Sequence, residues 1–291
     1  MKTVVIIGCG DIGQRVARLY QQKGTQHVYG LVRSDETISQ LETQSITAIR
    51  GDLSQVATLQ ALPTKEATLF YFAPPPKQGT TDPYLRNFLS TISGDNTPAK
   101  IILISTTAVY GDCQGAWITE KQPVNPQTDR GKRRLDAEIA LQEWSQQTGV
   151  PIVILRVGGI YGPGRYPIAR LQKGLPILRE GESPYTNRIH QDDLAMICIA
   201  AAERGEAGEI YNVADGQPGT MSGYFKTVAR AAGLPVPPEV SRSEAEHQMT
   251  PGMISYLRES RRLDNRKLLQ GLQVSLRYPN LETGLKQDEL T

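Results

Sequence analysis

The residues TVVIIGCGDIG at 3–13 restrict the fold more than any other stretch of this chain. An unbroken apolar run leads into Gly8, Gly10 and Gly13 at GxGxxG spacing, and a segment with helical periodicity follows at once. Apolar runs without alternation are those of strands covered on both faces. Glycine at the first position permits a tight turn, and at the second it lets backbone approach a pyrophosphate. The third lets helix and strand pack closely, while the helix start offers unpaired N–H groups and a positive dipole end. A strand before the loop and a helix after it predict dinucleotide binding over a merely structural glycine turn.

Comparable runs recur as HVYGLV at 27–32, TLFYFA at 68–73, KIILIS at 100–105, PIVILRV at 151–157 and EIYNVA at 209–214. Between them lie helical patterns. In GQRVARLYQQKG, Val16, Leu19 and Tyr20 share a face and Gly24 ends the helix; in RLDAEIALQEWSQQTG, Leu135, Ile139 and Leu141 are the apolar set and Gly149 the stop. Strand and helix alternate as far as Ala214, which predicts an α/β fold with a doubly wound parallel sheet of Rossmann type. After Ala214 the texture changes to DGQPGT, GLPVPPEV and SRSEAEHQMTP. Pro and Gly break the rhythm there, and YGPGRYPIARLQKGLPI at 161–177 makes a similar excursion. The expected organisation is a dinucleotide-binding domain over 1–160 and 189–214, with a smaller, mostly helical C-terminal lobe from 161–188 and 215–291.

Composition excludes several classes of function. With 32 basic against 30 acidic residues the net charge is only +2, too even to make nucleic acid or an acidic membrane the expected partner. The clusters GKRRLD and RESRRLDNRK contain acidic residues and lack interleaved aromatics, which argues against a nucleic-acid surface. Cys9, Cys113 and Cys198 are far apart and odd in number, so neither a disulfide framework nor a zinc site is expected, and a reducing cytoplasm fits. No stretch approaches the roughly 18 apolar residues of a membrane span. His27, His190 and His247 are scattered; Asp192 or Asp193 is expected to cap the helix LAMICIAAAERG rather than hold a metal. There is no GxSxG elbow for a serine nucleophile.

An acidic residue roughly 20 positions beyond the glycine loop holds the ribose 2′-hydroxyl of NAD, whereas an Arg there accommodates the 2′-phosphate of NADP. That distance from Gly13 reaches Arg33, with Ser34 beside it, which favours NADP over NAD. The alternative is that Arg33 is a solvated strand end and Asp35 supplies the acid.

GDL at 51–53, STTAVYG at 105–111, LRVGGIYGPG at 155–164, IHQDDLA at 189–195, YNVAD at 211–215 and RRLDNRKL at 261–268 occur in one order along the chain. With the glycine loop they resemble the extended and atypical short-chain dehydrogenase/reductases, the NAD-dependent epimerase/dehydratase family. The resemblance implies cofactor contacts from Asp11 and Ile12 in the loop, Asp52 and Leu53 on the adenine side, Ala73 and Pro74 after the fourth strand, and Arg134. It implies Thr106 as a hydroxyl facing a substrate oxygen, with a strand-end cap as the alternative. It also implies Arg188 as a holder of an anionic substrate group such as a phosphate.

The family's acid/base is a Tyr with a Lys four residues later, on one helix face. Registering the family's YxxxKxxxE on Glu138 puts Arg130 at the Tyr position and Arg134 at the Lys position. Arg134 can still bind ribose hydroxyls; Arg130 cannot exchange a proton near neutrality. Shifting the register by two pairs Thr128 with Lys132, whose hydroxyl is too weakly acidic. Tyr110 and Tyr161 are then the nearest candidates for a substitute phenol, packing being the alternative for both. Two functions follow: an NADP-dependent epimerase, dehydratase or reductase acting on a small molecule, sugar-nucleotide-like, or a non-catalytic NADP(H)-binding redox sensor. A homodimer is left open.

Overall fold

In the computed structural model, which describes residues 3–25 and 27–288, seven parallel strands form one sheet. They are β1 (Thr3–Ile7), β2 (His27–Val32), β3 (Thr47–Arg50), β4 (Thr68–Tyr71), β5 (Lys100–Thr106), β6 (Ile152–Val157) and β7 (Ile210–Val213). Their order across the sheet is β7-β6-β5-β4-β1-β2-β3, so the chain reverses direction beside β1. Ligands of open α/β sheets bind at such a switch point, outside the carboxyl ends of the strands.

Alternate residues of each strand feed two separate cores, which is why the runs carry no polar alternation. Val4 and Ile6 face one side with Val16, Tyr20, Phe70, Val153 and Ile197; Val5 and Ile7 face the other with Leu69, Leu103, Phe88 and Leu141. Helices α1 (Asp11–Gln22) and α5 (Gln191–Arg204) cover the first face, while α3 (Pro83–Ser90) and α4 (Asp129–Thr148) cover the second. Helix α2 (Asp35–Thr43) joins β2 to β3.

Six of the seven strands fall on the apolar runs. The seventh, β3, is the short edge segment TAIR, half-exposed and ending in a charge, so it lacks the signature of a buried strand. Helix α4 begins earlier than the pattern RLDAEIALQ indicates, because Thr128 caps it by accepting from the Gly131 amide at 3.3 Å. Gly149 closes it in the left-handed conformation, φ +74. Its inward face is Ala137, Ala140 and Leu141 with Glu138, whereas Ile139, expected in the apolar set, is on the outer face. Helix α5 corrects a second expectation: its cap is His190, whose Nδ1 accepts from the Asp192 amide, while Asp193 accepts from the Arg277 and Tyr278 amides.

A third cluster gathers Tyr161, Tyr166, Leu171 and Ile177 with Phe225, Val228 and Leu285, so the two excursions from the sheet pack against each other. The helices Met221–Ala231 and Leu281–Gln287 carry its later members. The segment around Leu268 and Leu272 differs from the expected lobe: it packs on the first sheet core beside Tyr211 and Val213.

Candidate active site

The glycine loop is shaped by what surrounds it. Gly8 has φ +87, and a Cβ there would lie 2.6 Å from the Ala73 amide nitrogen, so only glycine lets β1 turn beside the end of β4. At Gly10 an added Cβ meets nothing within 4 Å, which leaves the loop's outer face open. At Gly13 it would approach Ile6 Cγ2 to 3.0 Å, the close helix–strand packing expected of the third glycine. No side chain caps α1 at Gly10, so its first amides face the open side. Cys9 points into the core, where burial pushes its thiol up to about 12 and leaves it inert.

Ile12 is likewise buried and can offer only backbone. Asp11 is held by two arginines, Arg15 at 2.9 Å and Arg165 at 2.8 Å, which keep its carboxyl below the usual range against the opposing effect of burial. Arg15 also pairs with Asp192. An acid in the first turn of α1 is thereby neutralised where a pyrophosphate would approach.

At the far end of the groove, Arg33 is exposed and Ser34 caps α2, accepting from the Thr37 amide. Asp35 pairs with Arg50. The Asp52 carboxylate is held below its usual range by the Ser54 amide and hydroxyl, at 2.8 and 2.7 Å, and to a smaller extent by the Arg33 charge. Leu53 is buried and its carbonyl accepts from Asn87, while Pro74 is exposed beside Ala73.

Ala73 links the glycine loop to α4, since its carbonyl accepts from Arg134 Nη2 at 3.1 Å. Arg134 Nη1 is buried without a hydrogen-bond partner among the described residues, and burial lowers the guanidinium's proton affinity while Asp82 opposes that effect. A continuous path therefore runs from the amides of α1 over Ala73 to an uncommitted guanidinium donor. These groups suit a dinucleotide: amides for a diphosphate, and a donor for a sugar hydroxyl.

Known proteins resemble the chain in sequence and in fold. Residues 84–214 match the model of the NAD dependent epimerase/dehydratase family, and residues 4–78 match that of the TrkA-N domain. Residues 84–214 are thus similar to an epimerase/dehydratase domain. It is 28% identical to protein YeeZ of Escherichia coli over 250 residues, 81% of this chain and 86% of that one. It is 33% identical to the uncharacterized protein y4nG of Sinorhizobium fredii, a match that covers 46% of this chain but only 35% of that protein. A solved structure of a functionally unknown conserved protein from Silicibacter pomeroyi is 28% identical, with a TM-score of 0.80 over 98% of this chain and 97% of its own. The fold is also that of dTDP-glucose 4,6-dehydratase from Bacillus anthracis in complex with NAD, at TM-score 0.80 and 16% identity over 99% and 95% of the two chains.

Within residues 84–214, the expected site residues separate into two groups. Thr106 stands at the end of β5 and accepts from the Ala108 amide at 3.3 Å, the strand-end cap weighed above, with its hydroxyl proton still free to donate. The carbonyl of Ala108 lies against Gly131, where a Cβ would come within 2.8 Å, so the Thr106 turn and the first turn of α4 are in contact. Arg130 extends from that turn to stack on Tyr256, 3.5 Å from the ring centroid. Thr128 serves as the helix cap and Lys132 is exposed.

Both candidate phenols lie in the core. Tyr110 is 1% exposed and donates to Asn212 Oδ1 at 2.7 Å, beneath the Arg156 guanidinium. Tyr161 is fully buried and donates to the Asn280 carbonyl at 3.1 Å; burial raises its phenol far above the ordinary value. Neither hydroxyl faces the groove. Arg188, on the strand Arg188–His190, stacks on Tyr224 with its ring centroid 3.6 Å away. Arg165 and Arg50 were not singled out by sequence reasoning, and Asp215 entered it only as the last residue of the YNVAD motif. Arg165 directly follows the YGPG segment, which was the only available signal.

Proposed function

We propose that this protein is an NADP-dependent oxidoreductase of epimerase, dehydratase or reductase type acting on a small, anionic, sugar-nucleotide-like molecule. The observation that carries the proposal is the open cradle over Gly10, continuous through Ala73 with the unpartnered Arg134 Nη1. In this reading the α1 amides hold the diphosphate and Arg134 takes the role of the family's Lys at the nicotinamide ribose. When bound, the nicotinamide supplies hydride acceptance and donation. Thr106 offers a hydroxyl to a substrate oxygen, and Arg188 takes the anionic group. The related B. anthracis dehydratase fold, solved with NAD, supports a dinucleotide in this crevice.

The choice of NADP rests on charge. Asp35, the acid weighed as the alternative to Arg33, is engaged by Arg50, and the carboxylate of Asp52 is engaged by Ser54. Among the described residues Arg33 forms no ion pair; its charge acts on Asp52 and suits a 2′-phosphate.

The alternative reading, an NADP(H)-binding redox sensor, draws support from Arg130 at the Tyr position and from the burial of both Tyr110 and Tyr161. One experiment separates the two. The protein is titrated with NADPH and NADH by calorimetry, then incubated with NADPH and a panel of carbonyl and sugar-nucleotide compounds while nicotinamide absorbance is followed. The enzyme reading expects tighter NADPH binding and consumption with at least one compound. Tight binding with no consumption across the panel supports the sensor, and no binding of either dinucleotide removes both.

A further inference from the structure

Arg130 brings a fixed cation to the first turn of α4, and the group it meets there comes from far along the chain. Its guanidinium carbon stands 3.5 Å from the centroid of the Tyr256 ring, a cation–π contact. Among the described residues Arg130 has no ion pair and no hydrogen bond, so the ring is its partner there. Tyr256 is 51% exposed, and its hydroxyl has no hydrogen-bond partner among the described residues. A ring held by its face leaves its edge, and the oxygen on it, free to meet something else.

Two sets of contacts place that ring beside the Thr106 turn. On the α4 side, Arg130 adjoins Gly131, which packs on the Ala108 carbonyl, and the Ala108 amide donates to Thr106 Oγ1. On the other side, the chain that leaves Tyr256 is laid along the segment following β5. The Ser260 carbonyl accepts from the Cys113 and Gly115 amides at 3.1 and 2.9 Å, and the Ser260 amide donates to Asp112 at 2.8 Å. Arg261 donates to the Gly111 carbonyl at 2.7 Å and reaches Thr107 Oγ1 at 3.5 Å. Tyr256 belongs to the short helix Pro251–Leu257, whose Leu257 enters the apolar cluster of Leu178, Val240 and Ala245. Its neighbour Tyr256 turns away from that cluster onto α4.

The neighbours of Tyr256 are poor proton donors. A guanidinium does not release its proton near neutrality, and the aliphatic hydroxyl of Thr106 is a far weaker acid than a phenol. Asp112 accepts from the Gln114 and Ser260 amides, and Glu259 is paired with Arg261. We propose that Tyr256 is the catalytic acid/base of this site, its Oη meeting the substrate oxygen that Thr106 also contacts, with Arg130 as its positioning residue. The inference rests on the enzyme reading above and names the group that moves the proton. As a substrate carbonyl takes hydride at carbon, from a reduced nicotinamide that leaves oxidised, its π pair moves to oxygen. The Tyr256 O–H bond breaks and its proton goes to that oxygen, giving the alcohol. The exposed phenolate then recovers a proton from water, and in the meantime its charge faces the Arg130 guanidinium. Alcohol oxidation runs the same transfers in reverse. The acid/base is complete only while the Pro251–Leu257 helix rests on α4.

The test uses the full chain, NADPH and the carbonyl panel, with glyceraldehyde 3-phosphate and phenanthrenequinone among its members. Tyr256→Phe keeps the ring and its stack and removes one oxygen. With whichever compound wild type consumes, the variant's kcat should fall about 10²–10⁴-fold, while its calorimetric affinity for NADPH and its thermal midpoint stay unchanged. Arg130→Met should lower kcat roughly tenfold, and Arg130→Lys should restore most of it. A second readout needs no turnover: with NADP⁺, which cannot give hydride, the ¹³Cζ resonance of Tyr256 in wild type should move when that compound is added. Undiminished turnover in Tyr256→Phe, or an unmoved resonance, overturns the proposal and leaves the enzyme reading standing. NADPH left unconsumed by wild type with every compound removes both.

Discussion

At Gly8 a single hydrogen in place of a methyl group decides whether two strand ends can meet. A Cβ would press on the Ala73 backbone at 2.6 Å from a residue already at φ +87, and backbone cannot yield as a side-chain tip can. Gly8→Ala is therefore predicted to cost about 2–4 kcal/mol in chemical denaturation and to abolish nucleotide binding. An unchanged midpoint would refute that account. Asp215 makes a different prediction. Its folded-state carboxyl binds a proton more tightly than the unfolded one, so between about pH 4 and 7 the folded chain holds the extra proton and the group's contribution to stability falls as pH rises. Asp215→Asn should therefore gain about 2–4 kcal/mol relative to wild type at pH 8 compared with pH 4.5, measured by urea unfolding at both. The glycines are legible in sequence because their spacing is local, and spacing alone dictates turn and helix. Asp215 is not, since its proton affinity depends on burial against residues that are neighbours only after folding. Tyr110 and Tyr161 illustrate the same limit: the sequence presents two phenols near family motifs, and only packing reveals that Asn212 and Asn280 already engage them.

At the scale of elements, α4 is positioned by an ion pair rather than by apolar contact alone. Glu138 accepts from Arg156 of β6 at 2.7 Å and from Ser105 of β5, with both charged side chains almost fully buried. This clamp fixes the rotation of α4, and hence the direction in which Arg130 and Arg134 leave it. Removing one partner strands a buried charge, so Glu138→Gln should cost about 3–5 kcal/mol. Replacing both with apolar residues should cost less, and equal losses in the two variants by thermal unfolding would contradict the assignment. The β-strands are legible because six of them are unbroken Val/Ile runs covered on both faces; β3 is not, being a short, half-exposed edge. The start of α4 was obscured for a related reason: its first turn, with Gly131 and Arg133 buried, carries no apolar pattern, and the signal lay in the Thr128 cap.

In the molecule as a whole, two large cores sandwich the sheet, and a smaller one around Tyr161, Tyr166 and Phe225 holds the excursions together. A smaller apolar core opens at lower free energy. Hydrogen exchange should therefore show amides of Met221–Ala231 opening a few kcal/mol below those of β1 and β5, and identical protection would show one cooperative unit. Arg165 adds a link between these parts. It leaves the Tyr161–Tyr166 segment and clasps Asp11, the first residue of α1, so the doorway to the phosphate loop is shared with the chain that frames the smaller core. A dinucleotide seated there is expected to be latched from outside: Arg165→Ala should hasten its escape severalfold in stopped-flow fluorescence, and an unaltered off-rate would show the clasp to be idle. Release of the long ligand is then expected to wait on the parting of Arg165 from Asp11.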